Sequence, residues 1–111
     1  MNLEGTTLHE CYFLREWIGS GGMSDVYLAW DKMRSVEIAV KVLRQDLDDP
    51  ERFYRKFTEE ARFLRLLDHP NVVRLYEFER DGDHVYIVMD WIEGSNLKQV
   101  IQKHKKPNNY L

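Results

Sequence analysis

The run Gly19-Ser-Gly-Gly22 separates two segments that are rich in aromatic and β-branched residues. Glycine and serine clusters mark turns, and the flanking segments read as strands, so the run predicts a β-hairpin. A strong hairpin signal, Asp81-Gly82, lies between two further segments of the same kind. The predicted strands are residues 12–18, 26–30, 36–43, 73–78 and 85–89. Consecutive strands joined by short turns favour an antiparallel sheet.

One long helix is predicted between the third and fourth strands. Asp49 is a natural N-cap, Pro50 suits the first helical position, and the helix is expected to run to about Leu67. It should stop at residues 68–70, because a residue before proline is pushed out of helical geometry. A short helix is predicted after residues 94–96. The predicted fold class is therefore α+β, a five-stranded antiparallel sheet with one packed helix and a short C-terminal helix.

Composition is that of a small soluble protein. The 111 residues fit one domain, and the formal net charge of −3 argues against nucleic acid or an anionic membrane as the main partner. Cys11 is the only cysteine, which excludes an internal disulfide and fits a reducing compartment. The N-terminus lacks the pattern of a secretory signal, and no apolar run approaches the roughly 20 residues of a membrane span. A cytoplasmic location is expected.

Two features of the strands point to chemistry. Gly19, Gly21 and Gly22 would let backbone N–H groups approach a ligand, typically a phosphate chain, although a plain flexible hairpin would use the same glycines. In the third predicted strand, Ala39 and Lys41 share one face. Alanine is a poor strand former, so its place beside a lysine indicates a face that something flat approaches. An ordinary solvated lysine is the alternative.

Glu60 interrupts the apolar stripe of the predicted helix. Phe57 lies three residues before it and Leu64 four residues after it. A carboxylate on a buried face must find a cation or hydrogen-bond donors, and Lys41 on the underlying sheet is the natural candidate. A helix rolled so that Glu60 reaches solvent is the alternative.

Together these features resemble the N-terminal lobe of the eukaryotic-like protein kinases, and in particular the bacterial serine/threonine kinases. Residues 18–26 look like the glycine-rich loop, Ile38-Ala-Val-Lys41 resembles the third-strand lysine motif, and Glu60 matches the glutamate that pairs with that lysine. Residues 86–92 look like the fifth strand running into the hinge. The resemblance covers nearly the whole chain. Ser24 departs from the pattern, because a third glycine is common at that position.

The resemblance implies an ATP site. Lys41, positioned by Glu60, would hold the α- and β-phosphates, and these two residues are the catalytic candidates. Met89 would be the gatekeeper at the back of the pocket. The adenine roof would consist of Ile18, Val26 and Ala39, the loop over the phosphates of Gly19, Ser20, Gly21, Gly22, Met23 and Ser24, and the hinge of Asp90, Trp91 and Ile92.

The family's remaining catalytic groups are expected to lie outside this chain. It contains neither His-Arg-Asp nor Asp-Phe-Gly, the motifs that supply the base and a metal ligand. The resemblance divides the chain into an N-terminal extension (residues 1–10), the ATP-binding lobe (11–93) and the start of a truncated second lobe (94–111). Mg²⁺ and the protein substrate would be bound with the missing part of that second lobe. We therefore expect part of a longer serine/threonine kinase, inactive alone. A free-standing kinase-like binding or scaffold module is the alternative, and the gene sequence downstream would separate the two.

Self-association is also expected from the resemblance. The second lobe would cover Met89, Trp91 and Ile92 and the apolar side of the final helix. Without that lobe these groups are expected to face water, and exposed apolar patches of this kind tend to be association sites.

Overall fold

The structure is a computed structural model that describes residues 2–66 and 75–91. Its elements are β1 (Thr7–Leu8), β2 (Tyr12–Ser20), β3 (Ser24–Asp31), β4 (Val36–Leu43), α1 (Pro50–Leu66), β5 (Leu75–Asp81) and β6 (His84–Asp90). The strands form one sheet in the order β1-β2-β3-β4-β6-β5, and each neighbouring pair is antiparallel. Leu67, Ile92, the side chain of Leu64 and the predicted C-terminal helix lie outside the described part.

The predicted antiparallel sheet with one packed helix is confirmed, but the sheet has six strands where five were expected. The additional strand, β1, contains two residues and pairs with β2. A segment this short has no alternation from which a strand could be predicted. The predicted Asp81-Gly82 turn is present, and Gly82 takes a φ of +62°, a conformation that favours glycine.

The strand β4 has two different faces, as its alternating side chains predicted. Ile38, Val40 and Val42 are buried in a hydrophobic cluster that also contains Leu8, Leu14, Tyr27, Ala29, Tyr86 and Val88. Ala39 and Lys41 lie on the opposite face and are also buried. The site described below lies on the face of Ala39 and Lys41.

The helix α1 begins where its capping signals predicted. The Asp49 carboxylate accepts the N–H of Arg52 at 3.3 Å, which satisfies one of the free donors of the first turn. Phe57 and Ala61 are 0% and 2% exposed and belong to a second cluster with side chains of β5 and β6. This packing turns the stretch that contains Glu60 toward the sheet.

The segment before β2 links distant parts of the sheet. Leu8 is 1% exposed and belongs to the first hydrophobic cluster. The backbone N–H of His9 donates to a carboxylate oxygen of Asp81 at 2.6 Å. The imidazole Nδ1 of His9 forms a hydrogen bond with the hydroxyl of Tyr86. Because β1 and β5 stand at opposite ends of the strand order, these contacts show that the sheet is strongly curled.

Candidate functional site

Lys41 and Glu60 form a buried ion pair between β4 and α1. The Lys41 Nζ lies 2.6 Å from Oε1 and 2.5 Å from Oε2 of Glu60. Their side chains are 1% and 2% exposed. The predicted pairing is therefore observed, and both the solvated lysine and the rolled helix are excluded. Glu59, the neighbouring carboxylate, is exposed.

Two opposing electrostatic effects act on the Glu60 carboxyl of this pair. Burial raises the pKa of the Glu60 carboxyl above its ordinary value, because a charge is poorly solvated away from water. The charge and the hydrogen bonds of Lys41 act in the other direction and favour the carboxylate. An ammonium fixed in this way by a carboxylate has a defined position on the sheet face, which a free lysine on a flexible stem lacks.

An apolar patch lies beside Lys41 on the same face of the sheet. Val26 is the cross-strand partner of Lys41, and Met89 is the cross-strand partner of Ala39. Val26, Ala39 and Met89 form one buried cluster, against which Ile18 and Trp91 pack. We call these five residues the apolar patch. Ala39 has the smallest side chain of the buried three, so at this position the side chain projects least from the sheet.

Met89 corrects one expectation. It was expected to face water, but it is 2% exposed. Its side chain packs with those of Val26 and Ala39 on the same sheet face, and Ile18 and Trp91 pack against this cluster. Trp91 follows the end of β6 and is half-buried against the patch. Asp90 ends the strand opposite Ile38, so both described residues of the predicted hinge adjoin the patch.

The glycine turn connects β2 to β3 at the edge of this face. The N–H of Gly21 donates to the carbonyl of Ser24 at 2.8 Å and closes the turn. Neither Gly21 nor Gly22 lies at positive φ, so neither adopts the left-handed conformation that favours glycine. A Cβ added at Gly22 would meet nothing within 4 Å. Within the described residues, therefore, neither backbone conformation nor crowding requires glycine at position 22.

The two side chains that follow the glycines are both buried. Met23 is 5% exposed, and its side chain belongs to the cluster of α1, with Phe57 and Ala61. The expectation that its backbone N–H covers the phosphates stays a prediction. Ser24 is 1% exposed, and its hydroxyl has no hydrogen-bond partner among the described residues. Register places Ser24 on the same face as Val26 and Lys41.

Comparison with known proteins decides the family. The model of the protein kinase domain matches residues 12–110. The chain belongs to the protein kinase domain family. The serine/threonine-protein kinase PrkC of Bacillus subtilis is 41% identical over 99 residues, which cover 89% of this chain and 15% of that protein.

Other kinase relatives show the same partial coverage. The serine/threonine-protein kinase PknD of Protochlamydia amoebophila is 37% identical over 94 residues, or 85% of this chain and 10% of that protein. A probable serine/threonine-protein kinase of Clostridium acetobutylicum is 37% identical over 102 residues, or 92% of this chain and 16% of that protein. This kinase-family chain thus spans between 10% and 16% of the length of these relatives.

No described helix is long and apolar enough to cross a membrane. No group of three or more His, Cys, Asp or Glu side chains within residues 2–66 and 75–91 is arranged to hold a metal ion.

Proposed function

We propose that this chain is the ATP-binding lobe of a serine/threonine protein kinase. The observation that carries the proposal is the buried pair of Lys41 and Glu60 on the same sheet face as the apolar patch. The cation and the apolar patch match the two halves of a nucleotide. The phosphates carry negative charge and suit the cation, whereas the base is flat and largely apolar and suits the patch. The relatives named above are serine/threonine kinases, which supports the same class.

The residues present fit ATP. The apolar patch would hold the adenine, with Ala39 leaving room for the ring and the backbone at Asp90 and Trp91 beside its edge. Lys41 would hold the phosphates, and Glu60 would keep its ammonium in place. The N–H of Gly21 is used inside the turn, whereas those of Gly22 and Met23 find no acceptor among the described residues. These two groups would face the phosphate chain when the turn covers it.

Phosphoryl transfer is proposed for the whole protein and not for this chain alone. Kinases move the γ-phosphoryl group of ATP to a protein hydroxyl, with an aspartate base and Mg²⁺ held by an asparagine and an aspartate. The motifs that carry these groups are absent from the sequence. We propose that they, and the protein substrate, are brought by a second lobe. Incubating the chain with ATP, Mg²⁺ and a generic protein substrate should yield no phosphoprotein above the level of a Lys41→Met sample.

Methionine-methyl NMR tests the nucleotide site directly, since the chain is only 13.4 kDa. Met89 lies in the apolar patch, whereas Met33 is 85% exposed in the turn between β3 and β4 and serves as an internal control. Adenosine and ATP should both shift the Met89 methyl signal and leave that of Met33 unchanged. ATP should bind more tightly than adenosine, and Lys41→Gln should remove that advantage. A Met89 methyl signal that shifts with neither ligand at millimolar concentration would overturn the proposal.

A further inference from the structure

The side chain of Met23 joins the glycine turn to the helix α1. It belongs to the same buried cluster as Phe57 and Ala61, two residues of α1 that bracket Glu60 in the sequence. The backbone of Met23 is fixed as well, because its carbonyl accepts the N–H of Arg44 at 2.8 Å, just beyond β4. The tip of the turn is thus attached to the sheet by its backbone and to the helix by its side chain.

We propose that Met23 is a positioning residue that couples the glycine turn to the Lys41–Glu60 pair. A ligand that holds the turn against the sheet would also hold Met23 in the α1 cluster, and so keep Glu60 against Lys41. By thermodynamic reciprocity, a helix held in this position favours the turn conformation that binds phosphates. The inference rests on the proposed nucleotide function, since ATP is the ligand that would engage both the turn and Lys41.

The chemistry of methionine suits this role. Its unbranched, flexible side chain fills irregular gaps and adapts when neighbouring elements shift. Glycine, serine or a charged residue at this tip would leave the turn without an apolar contact to α1. An alternative role for Met23 is that of an ordinary core residue, and it makes a different prediction. Loss of a core side chain weakens the whole fold and therefore affects every ligand alike, whereas loss of the coupling affects only ligands that reach Lys41.

The test compares Met23→Ala with Met23→Leu and with Met33→Ala, a matched change at an exposed methionine. Affinities for ATP and adenosine are measured with the Met89 methyl signal. Met23→Ala should weaken ATP binding roughly 5–10-fold, within the usual range of coupling between sites, and change adenosine binding by less than about twofold. Met23→Leu keeps the volume and should restore ATP binding. Met33→Ala should behave as wild type.

A double-mutant cycle with Glu60→Gln shows whether Met23 acts through the ion pair. If it does, Met23→Ala should cause no further loss of ATP affinity once Glu60 is replaced. Carbon NMR of the Glu60 carboxyl gives a readout without ligand. The pKa of Glu60, raised by burial, should fall toward its ordinary value in Met23→Ala and stay unchanged in Met33→Ala.

Two outcomes would overturn the coupling while leaving the nucleotide site intact. One is a parallel loss of ATP and adenosine affinity in Met23→Ala. The other is an undiminished effect of Met23→Ala in the Glu60→Gln background. A wild-type chain that binds neither ligand would instead overturn the proposed function, and the coupling with it.

Discussion

Replacing Lys41 with methionine measures what the buried ion pair contributes to stability. The two side chains are 1% and 2% exposed, and the Lys41 ammonium meets both oxygens of Glu60 at 2.6 and 2.5 Å. Removing the lysine leaves a carboxylate that is shielded from water and lacks its cation. Breaking such a pair from one side costs roughly 3–5 kcal/mol. We expect Lys41→Met to lower the free energy of unfolding by that amount at pH 8.

Removing both charges should reverse most of this loss. Buried ion pairs replaced by apolar residues of similar volume are often neutral or more stable by about 1–4 kcal/mol, because no charge then has to leave water. The free energy of unfolding of the double variant Lys41→Met/Glu60→Leu should therefore be no more than about 1 kcal/mol below that of wild type. Glu37→Leu is a control, because its pair with Arg15 is exposed and should be worth less than about 1 kcal/mol.

The cost of Lys41→Met should also depend on pH. Without the ammonium, burial alone acts on Glu60 and raises its folded-state pKa further above the ordinary value of 4.5. Between 4.5 and the raised pKa, the folded protein keeps a proton that the unfolded chain has lost. The contribution of Glu60 to the free energy of unfolding is then greatest below pH 4.5. It falls as the pH rises through this window, by up to about 1.4 kcal/mol per pH unit. The variant should accordingly lose less stability at pH 5 than at pH 8.

Urea unfolding, followed by the fluorescence of the three tryptophans, measures all of these variants on one scale. The reasoning is refuted if Lys41→Met costs no more than the Glu37→Leu control, since the pair would then not be desolvated. It is equally refuted if the double variant is as unstable as Lys41→Met. A pH dependence of the opposite sign would show that Glu60 stays ionised in the variant.

Three further variants test separate contacts by the same urea measurement. Ser24→Ala should raise the free energy of unfolding by about 1 kcal/mol, since it removes a buried hydroxyl without a partner; a loss would show that the hydroxyl is bonded. Asp31→Ala should cost about 2 kcal/mol, because the buried carboxylate accepts the Nε–H of Arg34 at 2.7 Å and backbone N–H groups of the turn. Burial alone would raise the pKa of Asp31, but these hydrogen bonds lower it overall, so this contribution should persist above pH 3.8 and vanish as the pH falls through the lowered value. Tyr86→Phe should cost about 1 kcal/mol through loss of the contact with His9, and no change would contradict that contact.

Local periodicity explains why the ion pair could be predicted from the sequence. Alternation along β4 places Ala39 and Lys41 on one face whatever the rest of the fold does. The helical repeat places Glu60 on the same side as Phe57 for the same reason. Since a buried carboxylate needs a cation and one lysine lay on the facing strand, chemistry selected the partner. The orientation of the two side chains followed from these local rules.

Other features depend on contacts between distant parts of the chain and left no local signal. The burial of Met23 under α1 requires knowledge of how the turn lies against the helix. The strand β1 is too short to alternate, and the turn after it places His9 and Glu10 at φ values of +50° and +54° without a glycine to mark them. Met89 was misjudged for a related reason, because most of the side chains that cover it belong to strands that are distant in the sequence.

The cost of the ion pair is itself an argument about function. The helix α1 is already attached to the sheet by the apolar cluster that contains Phe57 and Ala61. Two apolar side chains in place of Lys41 and Glu60 would attach it at least as firmly. The pair instead adds direction, because two short hydrogen bonds fix the rotation of the helix and the place of the ammonium. The fixed ammonium stands next to Val26 and Ala39, where an apolar substitute would leave no charge. In return for this cost, the fold holds a cation at a defined position beside the apolar patch, which is the arrangement that the proposed nucleotide site requires.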